Sequence, residues 1–146
     1  MTTINIYLTF NGNCQEAFEF YEEAFGKKIA MMSKFSEMPP DPNYPVAEED
    51  MDRIMHVSLP ISTETVLMGS DTGGEWGAHF QQGNNFSVSI GTDSKAEADR
   101  LFYVLSEGGN VSMPMSDTFW ESYFGMFTDK FGIQWMVSYD DPNRQK

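Results

Sequence analysis

The chain has 146 residues, 40% hydrophobic and 14% aromatic, a composition able to bury a core and unlike that of a disordered segment. Nine basic residues stand against 22 acidic ones, and the net charge of −13 repels phosphate backbones and anionic lipid, which argues against nucleic acid and membrane surfaces as partners. One cysteine, Cys14, rules out an intrachain disulfide; with no leader-like start at Met1 and no apolar run near the ~18 residues that span a bilayer, a reducing, cytoplasmic setting is expected.

In chain order, Ile4, Ile6, Leu8 and Phe10 alternate with Asn5, Tyr7 and Thr9, which predicts a strand over Ile4–Phe10. Asn11-Gly12-Asn13 breaks it. Asn13, with Glu16 three positions on, suits a helix N-terminus; Ala17, Phe18, Tyr21, Ala24 and Phe25 form one apolar stripe, and Gly26 stops it. Three strands are expected next, Ile29–Phe35, Ile54–Leu59 and Thr65–Gly69. Between the first two lies a loop with Pro39, Pro40, Pro42 and Pro45 and an acidic run over 37–52, which reads as a solvated loop in preference to a metal site.

A glycine-rich link, Ser70 to Asn85, follows, and then the order restarts. Phe86–Thr92 alternates as a strand, Ser94-Lys95-Ala96-Glu97 has the form of a capping box, and Ala98, Leu101, Phe102 and Leu105 make a second stripe that ends at Gly108-Gly109. Strands are expected around Val111–Met113, Ser122–Thr128 and Ile133–Tyr139. The whole is α+β: two tandem β-α-β-β-β modules, approximately 1–70 and 84–142, in one domain.

The stretch Phe10-Asn11-Gly12-Asn13-Cys14-Gln15-Glu16-Ala17-Phe18-Glu19-Phe20-Tyr21 is similar to the strand-to-helix entry of PhnB-like proteins, and Met68-Gly69-Ser70-Asp71 to the end of their first half. Thr118-Phe119-Trp120 and the run from Thr128 through Asp129-Lys130-Phe131-Gly132 to Met136 are similar to their signature stretches. Over nearly its whole length the chain thus resembles the PhnB-like branch, which carries a 3-demethylubiquinone-9 3-methyltransferase label, of the vicinal-oxygen-chelate (glyoxalase/bleomycin-resistance/dioxygenase) superfamily. The resemblance implies strands curled into an open trough or half-barrel, helices on the convex face, a ligand on the concave face, and a homodimer.

Parity sorts the faces. The apolar face of each opening strand should cover its helix, which leaves Asn5, Tyr7 and Thr9 open in the first module and Ser87 and Ser89 in the second. In the closing strand Ile133, Trp135 and Val137 pack inward and Gln134, Met136 and Ser138 face the other way; the mixed face of Ile54–Leu59 carries His56 and Ser58. Met68 joins them only through the resemblance. Phe119, Trp120, Tyr123, Phe124 and Phe127, with Trp76 and Phe80 in the link, read equally as a stacking wall for a flat or aliphatic ligand and as core or dimer packing. The expected pocket is Tyr7, Thr9, His56, Ser58, Met68, Ser87, Trp120, Tyr123, Gln134 and Met136.

Metal-dependent members such as glyoxalase I hold an ion with His, Gln or Glu at four trough positions. At those positions this chain offers Ile6 or Tyr7, Met68, Phe86 or Ser87, and Met136. Thioethers suit copper and not Mg²⁺, Zn²⁺ or Ni²⁺, so no metal is expected there; the alternative is a displaced site built from His56, His79 and a carboxylate. His56 is the candidate acid/base, with Tyr7 or Ser58 beside it, against the plainer reading of a hydrogen-bonded strand histidine. Cys14 falls in a first helical turn, where amides lower a thiol's pKa, but its place on the helix side favours packing. The single-glycine turn at Gly12, and Gly73-Gly74, which precedes no helix, do not make a nucleotide site, so no cofactor is expected. The expected function is metal-free binding of a compact organic molecule. The alternatives are a glyoxalase-like lyase, isomerase or group transferase using His56 or an unconventional metal site, and a protein-interaction module using the acidic loop 37–52.

Overall fold

A computed structural model describes residues 2–43, 45–73 and 78–142, so Trp76 lies outside the described residues. The chain forms two compact units, Met1–Gln81 and Gln82–Lys146, with the boundary inside the glycine-rich link. Unit 1 contains β1 (Ile6–Phe10), α1 (Cys14–Phe25), β2 (Met31–Lys34), β3 (Ile54–Pro60) and β4 (Val66–Asp71). Unit 2 contains β5 (Val88–Thr92), α2 (Lys95–Ser106), β6 (Asn110–Asp117), β7 (Tyr123–Thr128) and β8 (Gln134–Tyr139). The sheets have the same order, β1-β4-β3-β2 and β5-β8-β7-β6. In each, the opening strand pairs in parallel with the closing one and the other pairings are antiparallel. This is the expected α+β class with tandem modules. No helix among the described residues is long and apolar enough to cross a membrane.

One face of each sheet is covered by its helix. Leu8 and Phe10 of β1, Val57 and Leu59 of β3 and Leu67 of β4 are buried with Cys14, Ala17, Phe18, Tyr21 and Ala24 of α1. In unit 2, Val88, Phe127, Trp135 and Val137 are buried with Ala98, Leu101 and Leu105 of α2. Each such aliphatic or aromatic side chain taken from water contributes roughly 1.5–3 kcal/mol, which is what holds the alternation in register.

A glycine permits the close approach of helix and sheet in both units. A Cβ on Gly69 would sit 2.7 Å from the Phe18 ring and 2.8 Å from the Leu8 carbonyl; one on Gly125 would sit 2.8 Å from the Phe102 ring and 2.6 Å from Met115 Sδ.

Two buried carboxylates tie the turns. Asp71 accepts from the amides of Gly12 (2.8 Å), Cys14 (3.0 Å) and Ile54 (2.9 Å). Asp129 accepts from the amides of Phe131 (2.8 Å) and Ile133 (3.0 Å) and from the indole N–H of Trp135 (2.8 Å). Asp71 does the work expected of Asn13, whose side chain makes no capping bond. Ser94 caps as expected, accepting from the Glu97 amide at 3.1 Å, but Glu97 turns away to Arg100 at 2.6 Å and the box is half closed.

The strands depart from expectation at their ends. Ile4 is 93% exposed and β1 begins two residues later, at Ile6. β6 runs through Pro114 to Asp117, beyond the expected Met113; it is an edge strand that pairs only with β7, and irregular register on both sides of Met113 accommodates the proline. In β3, Lys34 pairs with Ile54 and Ser33 with His56, so Met55 is an extra residue. The acidic run is not wholly solvated: Glu48–Asp50 forms a 3₁₀ turn, and Asp50 is buried beside Arg53 at 3.4 Å. Arg53 also donates to Asn11 Oδ1 (2.9 Å) and to the Thr72 carbonyl (2.5 Å).

Cys14 is fully buried. Burial first, and the nearby Asp71 carboxylate second, push its thiol far above the ordinary value, the reverse of activation by a helix terminus.

Two predictions follow from this packing. Gly69→Ala should cost about 1–3 kcal/mol by chemical denaturation, whereas Gly91→Ala, where an added Cβ meets nothing within 4 Å, should change stability by less than about 0.5 kcal/mol; equal effects would refute the close-approach argument. Cys14 should resist a thiol-specific disulfide reagent at pH 8 until the chain is unfolded. Because the native state holds the proton more tightly than the unfolded chain, this site's stabilisation is whole below the ordinary thiol value of 9.0 and declines as pH rises past it. Rapid labelling of the native protein would contradict both statements.

Candidate binding faces

Each sheet leaves one face without a helix, and the strand register states which side chains share it. In unit 1, Tyr7 pairs with Met68, Met68 with Ser58, and Ser58 with Met31, so these four form one row across all four strands. Thr9 pairs with Ser70, and His56 with Ser33, in the adjoining positions. The Tyr7 hydroxyl and His56 Nδ1 are joined by a 3.1 Å hydrogen bond whose direction depends on the imidazole tautomer, and the rings lie 5.6 Å apart, tilted by 30°. Tyr7 is 48% exposed, so the pair is open to solvent in this unit. Ser33 Oγ is buried and has no hydrogen-bond partner among the described residues.

Unit 2 repeats the row with different chemistry. Ser89 pairs with Met136, Met136 with Met126, and Met126 with Met113. Gln134 pairs with Thr128 on one side of this row and Ser138 with Phe124 on the other. The Gln134 amide donates to the carbonyls of Gly83 (3.3 Å) and Phe86 (3.2 Å), so it pins the segment leading into β5. Trp120 stacks edge-on with Phe119 (4.9 Å) and Phe124 (5.7 Å), extending the aromatic surface from β7 to the hairpin tip. Thr118 holds that tip by accepting from the Ser122 amide (3.2 Å) and donating to its carbonyl (2.8 Å), and Glu121 adopts a left-handed φ of 65°.

Tyr7, Thr9, His56, Ser58 and Met68 therefore share one open face, and Gln134 and Met136 share the other, with Trp120 at its margin. Ser87 is half-buried just ahead of β5; it is Ser89 that stands level with Met136. Tyr123 is a correction. It alternates with Phe124 and falls on the helix side, where its hydroxyl donates to Asp99 at 2.6 Å and its ring lies under the Lys95 ammonium. That hydrogen bond, then burial, then the charges of Asp99 and Asp117 push the phenol up to about 12. Met31, Ser33, Met113 and Met126 were absent from the expected set. Only β7 carried a usable sign, the alternation of Phe124, Met126 and Thr128 against Gly125 and Phe127.

Level with one another in the opening and closing strands are Tyr7 and Met68 in unit 1 and Ser89 and Met136 in unit 2: a phenol, two thioethers and a hydroxyl. These do not suit a hard divalent ion. Among the described residues no three His, Cys, Asp or Glu side chains lie close enough to hold a metal, so His56, His79 and a carboxylate do not converge.

Residues 2–138 match the family described as 3-demethylubiquinone-9 3-methyltransferase. Protein YjdN of Escherichia coli K12 is 30% identical over 138 residues, covering 90% of this chain and 91% of YjdN. The crystal structure of PA1353 from Pseudomonas aeruginosa superposes with a TM-score of 0.81 at 41% identity, covering 96% of this chain and 98% of that one. A PhnB protein from Bacillus cereus, at 23% identity and a TM-score of 0.73 over 94% of this chain and 99% of its own, shares the fold. Glyoxalase-type proteins at 13–14% identity share it too. The chain thus belongs to the PhnB-like family described as 3-demethylubiquinone-9 3-methyltransferase, and it shares its fold with glyoxalase/bleomycin resistance/dioxygenase-type structures.

Proposed function

We propose that this protein binds a compact organic molecule against the open faces of its sheets and does so without a hard divalent metal. The observation that carries this reading is the pair of register-aligned rows, Tyr7–Met68–Ser58–Met31 and Ser89–Met136–Met126–Met113. Thioethers give an adaptable apolar surface, and the hydroxyls and the imidazole at its margin supply a few directional bonds, the usual composition of a small-molecule site. The residues level with one another in the opening and closing strands, a phenol, two thioethers and a hydroxyl, do not fit a hard divalent ion. In the turn into α1 the amides of Gly12 and Cys14 are taken by Asp71, which sets a carboxylate where an anionic cofactor would have to sit.

A second reading, proton transfer at His56, is favoured by its hydrogen bond to Tyr7. A phenol on Nδ1 fixes the orientation of the ring and leaves Nε2 to give or take a proton at a bound carbonyl or hydroxyl compound.

Elemental analysis of the purified protein should find no stoichiometric magnesium, manganese, nickel or zinc, and excess Mn²⁺, Ni²⁺ or Zn²⁺ should leave the melting temperature unchanged. A panel of uncharged aromatic and aliphatic compounds should contain at least one that raises it, by about 2.7 kcal/mol of stabilisation at a hundredfold excess over Kd. A bound divalent ion that raises the melting temperature would overturn the metal-free reading. Tyr7→Phe should cost less than about 1 kcal/mol, because the pair is exposed, yet it should change the ¹⁵N ring shifts of His56; unaltered ring shifts would remove the dyad and with it the proton-transfer reading.

A further inference from the structure

We propose that the rings of Phe119, Trp120 and Phe124 in unit 2 form a site for a small quaternary-ammonium cation. Trp120 stands nearly perpendicular to Phe119, with planes 89° and centroids 4.9 Å apart, and is steeply inclined to Phe124, at 70° and 5.7 Å. Two rings in this relation make a corner. A methylated ammonium resting on the face of one lies about 5 Å above the plane of the other, within the roughly 6 Å reach of a cation–π contact. Phe119 is 93% exposed and Trp120 48% exposed, so both rings present surface to solvent. The tip that carries them is held by its own hydrogen bonds. The Thr118 amide donates to the Ser122 carbonyl (3.0 Å), the Glu121 amide donates to the Thr118 carbonyl (3.0 Å), and the Thr118 hydroxyl closes the same turn. Large aromatic side chains held out in water by an ordered turn mark a binding surface.

The surroundings select the ligand. Aromatic faces are negative and attract cations, and a quaternary ammonium, weakly hydrated beside a lysine head or a metal ion, loses little on leaving water. The segment 110–128 contains Asp117 and Glu121 and no lysine, arginine or histidine. Lys95 approaches Asp117 (3.5 Å) and the Tyr123 ring from α2, on the covered side of the sheet, and so sets no positive charge over the open face. Phe124 adjoins the thioether row of Met113, Met126 and Met136, which offers polarisable contact to the alkyl groups of such a cation. Anionic lipid, the other surface into which exposed aromatics insert, is repelled by the net charge of −13.

Unit 1 does not repeat the arrangement. Its open-face ring pair, Tyr7 and His56, is tilted by only 30° and makes no such corner. Its hydroxyls and imidazole suit a ligand that forms hydrogen bonds, and a quaternary ammonium head has neither an N–H to donate nor a lone pair to accept with. The inference rests on the binding reading above and narrows it, for unit 2, to one class of ligand.

The test compares choline with its neutral isostere, 3,3-dimethylbutan-1-ol, by following the indole N–H signals of ¹⁵N-labelled protein. Choline should move the signal of Trp120, leave that of the buried Trp135 in place, and bind about tenfold more tightly than the alcohol. Trp120→Leu keeps an apolar side chain at the tip and leaves the core untouched; it should abolish that preference, read from the ligand's methyl signals. Tyr103→Leu, which removes an exposed ring from α2, should retain it. Equal affinity for the two compounds would overturn the cationic class and leave the binding reading standing. A Trp120 signal that choline does not move, or a preference that survives in Trp120→Leu, would overturn the site. Binding of neither compound, nor of any in the uncharged panel, would overturn both.

Discussion

In each unit the strand that opens the chain lies parallel to the strand that closes it, and one face of that pair is sealed by a helix. Everything said about function depends on this constraint. It fixes a period of two, so a slip of one residue would expose Leu8, Phe10, Trp135 and Val137 and bury Tyr7, Met136 and Ser138 in their place. Burial of those core residues outweighs any preference of the open face, which leaves the open side chains free to change without cost to the fold. Asp71 and Asp129 hold the arrangement at its turns, each satisfying three N–H donors from a buried position.

This division explains what could be read from residue order. β1, α1 and β8 were legible because each has one apolar side and strict periodicity. Of β6 only the stretch around Val111–Met113 was, because Pro114 hides its continuation to Asp117 and its irregular register exists only against β7. Tyr123 was misplaced because an aromatic cluster was read as a block, although its members alternate across two faces. Neither methionine row was visible in the sequence. Rows run across strands, and pairing register between segments as distant as Met113 and Met136 is a tertiary fact.

The two halves share a frame and differ in what they display. His56 precedes the row residue Ser58 by two positions in unit 1, and Phe124 precedes Met126 by two in unit 2. Tyr7 lies against the first and Trp120 against the second. One face is therefore polar and titratable, the other soft and aromatic. The matching strand orders provide equivalent slots, and side-chain choice at a handful of them distinguishes the modules, which is why membership in a family defines the fold here and leaves the ligand to the chemistry of the faces.

The extra residue in β3 has a further consequence. With strict alternation Ile54, His56 and Ser58 would all point the same way; Met55, which has no partner on β2, acts as a spacer that lets Ile54 join Val57 and Leu59 in the interior while the imidazole stays outside. The outward orientation of the only ionisable side chain on that strand is set by alternation with the buried Val57 and Leu59, and the extra residue resets the phase only upstream of it, at Ile54. Removing position 55 would close the bulge and still leave Ile54 inside and His56 outside, so the strand can shorten there by one residue without turning the imidazole.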